Sequence, residues 1–338
     1  MQRSTPPAHA AQPSQTDHRI LVCLDRSEQA ESCIPYAILI AKAFGANISL
    51  LHVMEAPADP AAVGGQDALM WEVSRREAEG YLKHIQERVS GALERPVDVL
   101  LEQGQPAERI ADIAQDICAE LTVLGRGGEG GSRDGHLGTT ALRVLTLARA
   151  SVFIVQATHA SPWASIKCIM VPLNGSIRTE SAIPAAVRIA NICGAGLLLA
   201  HVVREPQPTP LHLGDDLEVA RRLAQRFEQN AKNYLEELRK DLIHKVPVVR
   251  TSVTRHVNER RGLLEVAERE RADLVVLSAH GSGCDSTRSF GTTASFLLAH
   301  STIPLLALQD IPEHLLGRTE QTAATPDSLR ASYAPGRV

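Results

Sequence analysis

Two hydrophobic patterns alternate along the chain. Short unbroken apolar runs read as strands buried on both faces: ILVCL from Ile20, ANISLLHV from Ala46, VDVLLEQ from Val97, LTVLG from Leu121 and SVFIVQA from Ser151. Between them lie segments with apolar residues every three or four positions, which predict helices. SEQAESCIPYAILIAKAFG has Ser27 as a candidate N-cap and Gly45 as its stop. Residues 68–92 form a long amphipathic helix after the loop EAPADPAAVGGQ, and PAERIADIAQDIC starts on a proline suited to a first turn. TTALRVLTLAR completes the set. Strands alternating with helices predict an α/β fold with a mostly parallel sheet and helices on both faces.

The pattern is then written a second time. ILVCLDRSEQAESCIPYAILIAKAFGANISLLHV, from Ile20, is answered by IMVPLNGSIRTESAIPAAVRIANICGAGLLLAHV, from Ile169. The offset is 149 residues (169 less 20), with about half of the positions identical. AELTVLGRGGEGGSRDGHLGTTALRVLTLARASVFIV, from Ala119, is answered by ADLVVLSAHGSGCDSTRSFGTTASFLLAHSTIPLLAL, from Ala272, at an offset of 153. Each copy has the size of one domain. The expected boundaries are 18–158 and 165–311, joined by a short linker at HASPWAS. The flanking segments 1–17 and 312–338 read as disordered tails.

Composition narrows the function classes. Of 338 residues, 44% are hydrophobic and 22% charged, as in a soluble globular protein, and the net charge is −4. Both signs are interspersed, which argues against nucleic acid or an anionic membrane as partner. No apolar run approaches the roughly 20 residues of a membrane span, and the N-terminus has no apolar core of a signal peptide. A cytoplasmic protein is expected. The six cysteines lack CxxC spacing and no Cys/His pair has ligand spacing, so buried reduced thiols are expected and a structural zinc is not.

The chemistry concentrates in VLGRGGEGGSRDGHLGTT, residues 123–140. A GxGxxG lies at Gly125, Gly127 and Gly130, but it follows the fourth strand rather than the first, which argues against a dinucleotide fingerprint. A Walker A loop would need GK[ST], and the stretch has no lysine. The second copy shows what is shared: Gly128 matches Gly281, and Gly138, Thr139 and Thr140 match Gly291, Thr292 and Thr293, while Ser278 stands for Gly125. The skeleton is G/S-x-x-G, nine residues, then G-T-T and a helix. Glycines let backbone N–H groups approach an anion, and a helix N-terminus adds more. The plainer reading is a turn followed by a threonine N-cap. Ser132, Asp134 and His136 are not kept in the second copy and are too close along a loop for triad geometry. No nucleophile–base pair is evident, so an enzyme is not the leading expectation.

These residues resemble the universal stress protein family, whose nucleotide-binding members carry G-x-x-G, nine residues, then G-[ST]. The resemblance spans both copies and includes ILVCLDRSE, LLHV and ADLVVLSAHG. It implies five-stranded parallel sheets of order 3-2-1-4-5, with ligands at the carboxyl ends where the winding reverses. By that resemblance Asp25 meets the nucleoside, and Val53 and Leu124 line the adenine. Gly125, Gly128, Gly138, Thr139 and Thr140 sit by the phosphates, where Arg126 and Arg133 could add charge. Asp25 read by itself could also be only a turn and helix cap. In the second copy Asn174, Val202, Ser278, Gly281, Gly291, Thr292 and Thr293 would make a weaker site, with His280 and Arg288 as cationic options. His52 and His201, at the ends of the second strands, read as hydrogen-bonded structural histidines or as neighbours of the ligand. The implied function is an ATP-binding stress-response module, with or without Mg2+. A slow metal-dependent ATPase and a tandem that binds no nucleotide are the competing readings. The apolar fifth strands would join the two copies as an intramolecular pseudo-dimer. Association into a further homodimer and the protein partners are left open.

Overall fold

A computed structural model describes residues 18–55, 65–127, 137–156, 166–207, 214–281 and 289–309. The expected tails, the linker, Gly128, Arg133 and Arg288 lie outside the described residues. The first half runs β1 (Arg19–Cys23), α1 (Glu28–Glu31), α2 (Cys33–Phe44), β2 (Asn47–Met54), α3 (Gly65–Leu93), β3 (Asp98–Gln103), α4 (Pro106–Asp116), β4 (Leu121–Gly125), α5 (Thr139–Leu147) and β5 (Ser151–Val155). The second half repeats this as β6 (Cys168–Pro172), α6 (Ile177–Glu180), α7 (Ile183–Cys193), β7 (Gly196–Arg204), α8 (Gly214–Leu242), β8 (Val249–His256), α9 (Glu259–Arg269), β9 (Leu274–Ser278), α10 (Thr292–His300) and β10 (Leu305–Leu308).

The segment expected as one helix from Ser27 to Gly45 is two. Pro35 lacks an N–H, and its ring opposes the carbonyl four residues back, at Glu31, so the helix restarts at Cys33 with the proline in its first turn. Pro184 does the same to α6 and α7. Gly45 and Gly194 then end α2 and α7 at φ 68° and 64°, left-handed geometry that favours glycine.

The strand order is β3-β2-β1-β4-β5-β10-β9-β6-β7-β8. Each half keeps the parallel order 3-2-1-4-5. The two sheets are not separate, however: β5 and β10 pair antiparallel and make one ten-stranded sheet. Phe153 pairs with Leu306, its own equivalent at the 153-residue offset, so a pseudo-twofold axis passes through that pair. Phe153 is fully buried and meets Tyr36 edge-on at 5.7 Å. Each strand divides its side chains between two apolar layers. Ile20, Val22 and Leu24 face α2 and α3, while Leu21 and Cys23 face α4 and α5. Both layers run unbroken across the two halves. On one face α2 packs against α7, with the Arg188 guanidinium 5.7 Å from the centre of the Phe44 ring.

Burial of the thiols is uneven. Cys23, Cys33 and Cys168 are buried and Cys193 is half-buried, but Cys118 is exposed. It sits at φ 52° just past α4, where the chain turns from the helix toward β4. Cys284 lies outside the described residues.

Candidate functional site

In the first half the ends of β1, β2 and β4 meet. Register places Cys23 opposite Leu51 and Val22 opposite Val123, so Asp25, Val53 and Gly125 follow at neighbouring carboxyl ends. This is the point where the winding reverses, the usual ligand position of an open α/β sheet. Leu24 is held from both sides of its peptide: its N–H donates to Leu51 O (2.8 Å), and His52 Nδ1 donates to its carbonyl (2.7 Å). His52 thus makes the backbone hydrogen bond that the structural reading expects.

Asp25 has a structural task. Its Oδ1 accepts from Ser27 N (3.0 Å) and Ser27 Oγ (2.6 Å), and Ser27 Oγ accepts from Ala30 N (3.1 Å) to cap α1. The carboxylate so fixed follows the carboxyl end of β1. Arg26, between the two, is at φ 70°.

The glycine loop is closed at its base. Arg126 N donates to Val155 O and Gly138 N donates to Arg126 O, both at 2.8 Å. Gly125 is needed for closeness rather than for an unusual φ. A Cβ there would lie 3.0 Å from Gly127 O and 3.4 Å from Ala30 Cα. A Cβ on Gly127 would meet Gln29 Oε1, so Gln29, absent from the expected set, lies against the loop. Gly138, not Thr139, takes the N-cap position of α5, and no side chain caps it. Thr139 and Thr140 are exposed on the first turn. The expectation that Thr139 might cap its own helix is thereby corrected. Among the described residues no side chain caps this helix start, and backbone N–H groups at a helix start suit an anion.

Arg126 requires a second correction. It is only 5% exposed, and its guanidinium crosses to the other half. Nη1 donates to Leu298 O (3.1 Å) and Nη2 to Ala299 O, carbonyls in the last turn of α10. A cation there satisfies orphan carbonyls and the negative helix end. Its charge is committed to the join between the halves, not to phosphates. Burial lowers its pKa from the usual value.

The second half reproduces the frame with different fittings. Ala279 N donates to Leu308 O (2.6 Å) and Gly291 N to Ala279 O (2.8 Å), so this loop also closes across twelve residues (279 to 291, as 126 to 138). Gly291 N-caps α10 without a side-chain bond. Asn174 Oδ1 accepts from Ser176 N (3.1 Å) and Thr179 Oγ1 (3.0 Å), and a Cβ on Gly281 would lie 3.4 Å from Asn174 Nδ2. The amide thus reaches across to the glycine loop. Ser278 Oγ donates to His280 O (2.9 Å), and Ser278 is not among the residues of positive φ, so serine carries no backbone strain here. Val202 is buried and close to α9, since a Cβ on Gly262 would sit 2.9 Å from its Cγ1. His201 is also buried. Desolvation brings its pKa down to about 4, against the smaller opposing effect of the Leu173 backbone.

Sequence comparison agrees with this architecture. The model of the Universal stress protein family matches residues 18–156 and again 165–309. The chain belongs to the universal stress protein family. A curated universal stress protein of Mycolicibacterium smegmatis is 24% identical over 301 residues, covering 88% of this chain and 98% of its own length. Universal stress protein Sll1388 of Synechocystis is 29% identical over 153 residues, which is 41% of this chain and 97% of that one. The crystal structure of a universal stress protein from Archaeoglobus fulgidus superposes with a TM-score of 0.60 at 17% identity, covering 87% of this chain and 99% of that one. The protein is thus a tandem stress-response protein of this family, with two copies of the domain in one sheet.

Proposed function

We propose that the chain is a nucleotide-binding module whose first-half crevice takes an adenine nucleotide, ATP foremost. The observation that carries this is the convergence of Asp25, Val53 and Gly125 on a glycine loop that closes at Gly138 and leads directly into the first turn of α5. Val53 and Leu124 supply apolar surface for the base, Asp25 an acceptor for the ribose, and the loop and helix N–H groups the phosphate contacts. The second crevice is the weaker site, because Asn174 carries no charge where the first has Asp25. Such a module signals by changing the surface it shows to protein partners in the cytoplasm. Among the described residues no three acidic, histidine or cysteine side chains cluster to hold a metal. Magnesium would ride on the phosphates with water completing its shell.

The test is calorimetric titration of ATP into the full chain and into Gly125→Val. Valine would be forced against Gly127 O and the α1 backbone, so affinity at the strong site is expected to fall by roughly 100-fold, about 2.7 kcal/mol. Unchanged affinity would move the site elsewhere. Mass analysis of nucleotide retained on purification separates a binder, which keeps ATP, from a hydrolase, which accumulates ADP with turnover.

A further inference from the structure

A cavity of about 490 Å3, broadly open to solvent, lies at the amino ends of β6, β7 and β8, the end of the sheet opposite the glycine loops. Its walls are Ile166, Cys168, Cys193, Pro247, Val248 and backbone at Gly194 and Gly196, with Lys167 and Arg250 also facing it. The first half carries different residues here. At equivalent positions that half carries Arg19 for Cys168, Phe44 for Cys193 and Asn47 for Gly196. Pairing of Ser49 with Asp98 and of Leu198 with Arg250 further aligns Arg95 with Pro247. All four residues of the first half are larger. Arg19 lies 3.5 Å from Asp98, and Arg95 donates to Gly45 O (2.9 Å). Smaller side chains stand at all four places in the second half, while the Phe44 ring of the first half turns toward Arg188 of the other half.

The exchanges also rearrange the charge. The Arg19–Asp98 pair becomes Cys168 and Arg250, with Arg250 Nη2 3.4 Å from Cys168 Sγ. Glu270 pairs with Arg250 Nη1 at 3.0 Å, and Asp273 accepts from the backbone N–H groups of Lys167 and Cys168, but neither acid lines the cavity. The two cations do. Burial pushes both thiols up, that of Cys193 to about 11, so at neutral pH they are apolar walls rather than nucleophiles.

We propose that this cavity is a binding site for a small amphiphilic monocarboxylate, its apolar body against Ile166, Cys193 and Val248 and its carboxylate at Lys167 and Arg250. The volume falls within the roughly 300–1,000 Å3 typical of small-molecule sites. Decanoate is the probe, titrated calorimetrically into the full chain, into Cys193→Phe, which restores the bulk of the first half, and into Lys167→Glu. Binding is expected to weaken at least about tenfold in both variants, and to be unaffected by saturating ATP. Lys167 is exposed, so its variant carries the test even if the phenylalanine disturbs folding. Equal affinity in Lys167→Glu, no binding to the wild type, or displacement by ATP would each overturn the proposal. ATP binding itself is read in a separate titration, so the two sites succeed or fail independently.

Discussion

The two halves share a backbone frame but not the residues that furnish it. At the base of each glycine loop the same two hydrogen bonds close a segment of the same length. Yet the first half places Gly125 and Arg126 where the second has Ser278 and Ala279. Glycine admits the loop close to α1, whereas Ser278 spends its hydroxyl on the loop itself. Arg126 leaves its own half to cap α10, and no arginine stands at Ala279 to cap α5 in return. A duplicated fold can therefore keep its topology while the two glycine loops are furnished differently and the join becomes one-sided.

The largest effect expected from breaking that asymmetry is at Arg126. Replacing it with methionine keeps most of the apolar stem and removes the charged donors to Leu298 and Ala299. Charge-assisted bonds of this kind contribute about 1.5–3 kcal/mol each, and α10 would keep two buried carbonyls without them. A loss of about 3 kcal/mol in urea unfolding of the full chain is expected. A loss below about 1 kcal/mol would mean that water satisfies those carbonyls equally well.

Next in size is a pH effect at His201. Its folded pKa of about 4 lies below the ordinary value of 6.5, so the unfolded chain binds the extra proton first. The stability associated with neutral His201 is complete above about pH 6.5 and is lost as pH falls towards 4, by about 3 kcal/mol in all. His201→Gln should flatten the stability curve over that window, relative to the native chain. An unchanged slope would assign the acid lability to carboxylates instead.

Much of this frame is legible in the amino-acid pattern, because it rests on local rules. Apolar runs mark strands, Gly45 and Gly194 end helices, and two copies of one spacing single out Gly138 and Gly291 from a crowd of glycines. The destinations of side chains are not local. Arg126 sits in a loop beside a phosphate-like motif, and only the docking of the halves turns it toward α10, 172 residues away along the chain. The Phe153–Leu306 axis likewise exists only once the edge strands pair. The break before Cys33 was readable in principle from Pro35, but the apolar period runs through it. The cavity under β6 to β8 is visible in the sequence only as four scattered differences between the copies, which share a place once the strands are in register.

The smallest expected effect tests whether the two copies use one turn. Arg26 and Gly175 occupy the same place, between the acceptor and the capping serine, at φ 70° and 81°. Glycine takes that conformation without a Cβ clash, while arginine there carries backbone strain of about 1 kcal/mol. Arg26 is 3.7 Å from Glu77, but a surface pair at that distance offsets little. Arg26→Gly is therefore expected to stabilise the first half by about 0.5–1 kcal/mol, less some added freedom in the unfolded chain. Gly175→Ala should cost about 1 kcal/mol, because it introduces into the second turn the strain the first already bears. Denaturant midpoints that move in opposite directions for the two variants establish the equivalence. A destabilised Arg26→Gly would mean instead that the arginine side chain holds α3 more firmly than its distance to Glu77 suggests.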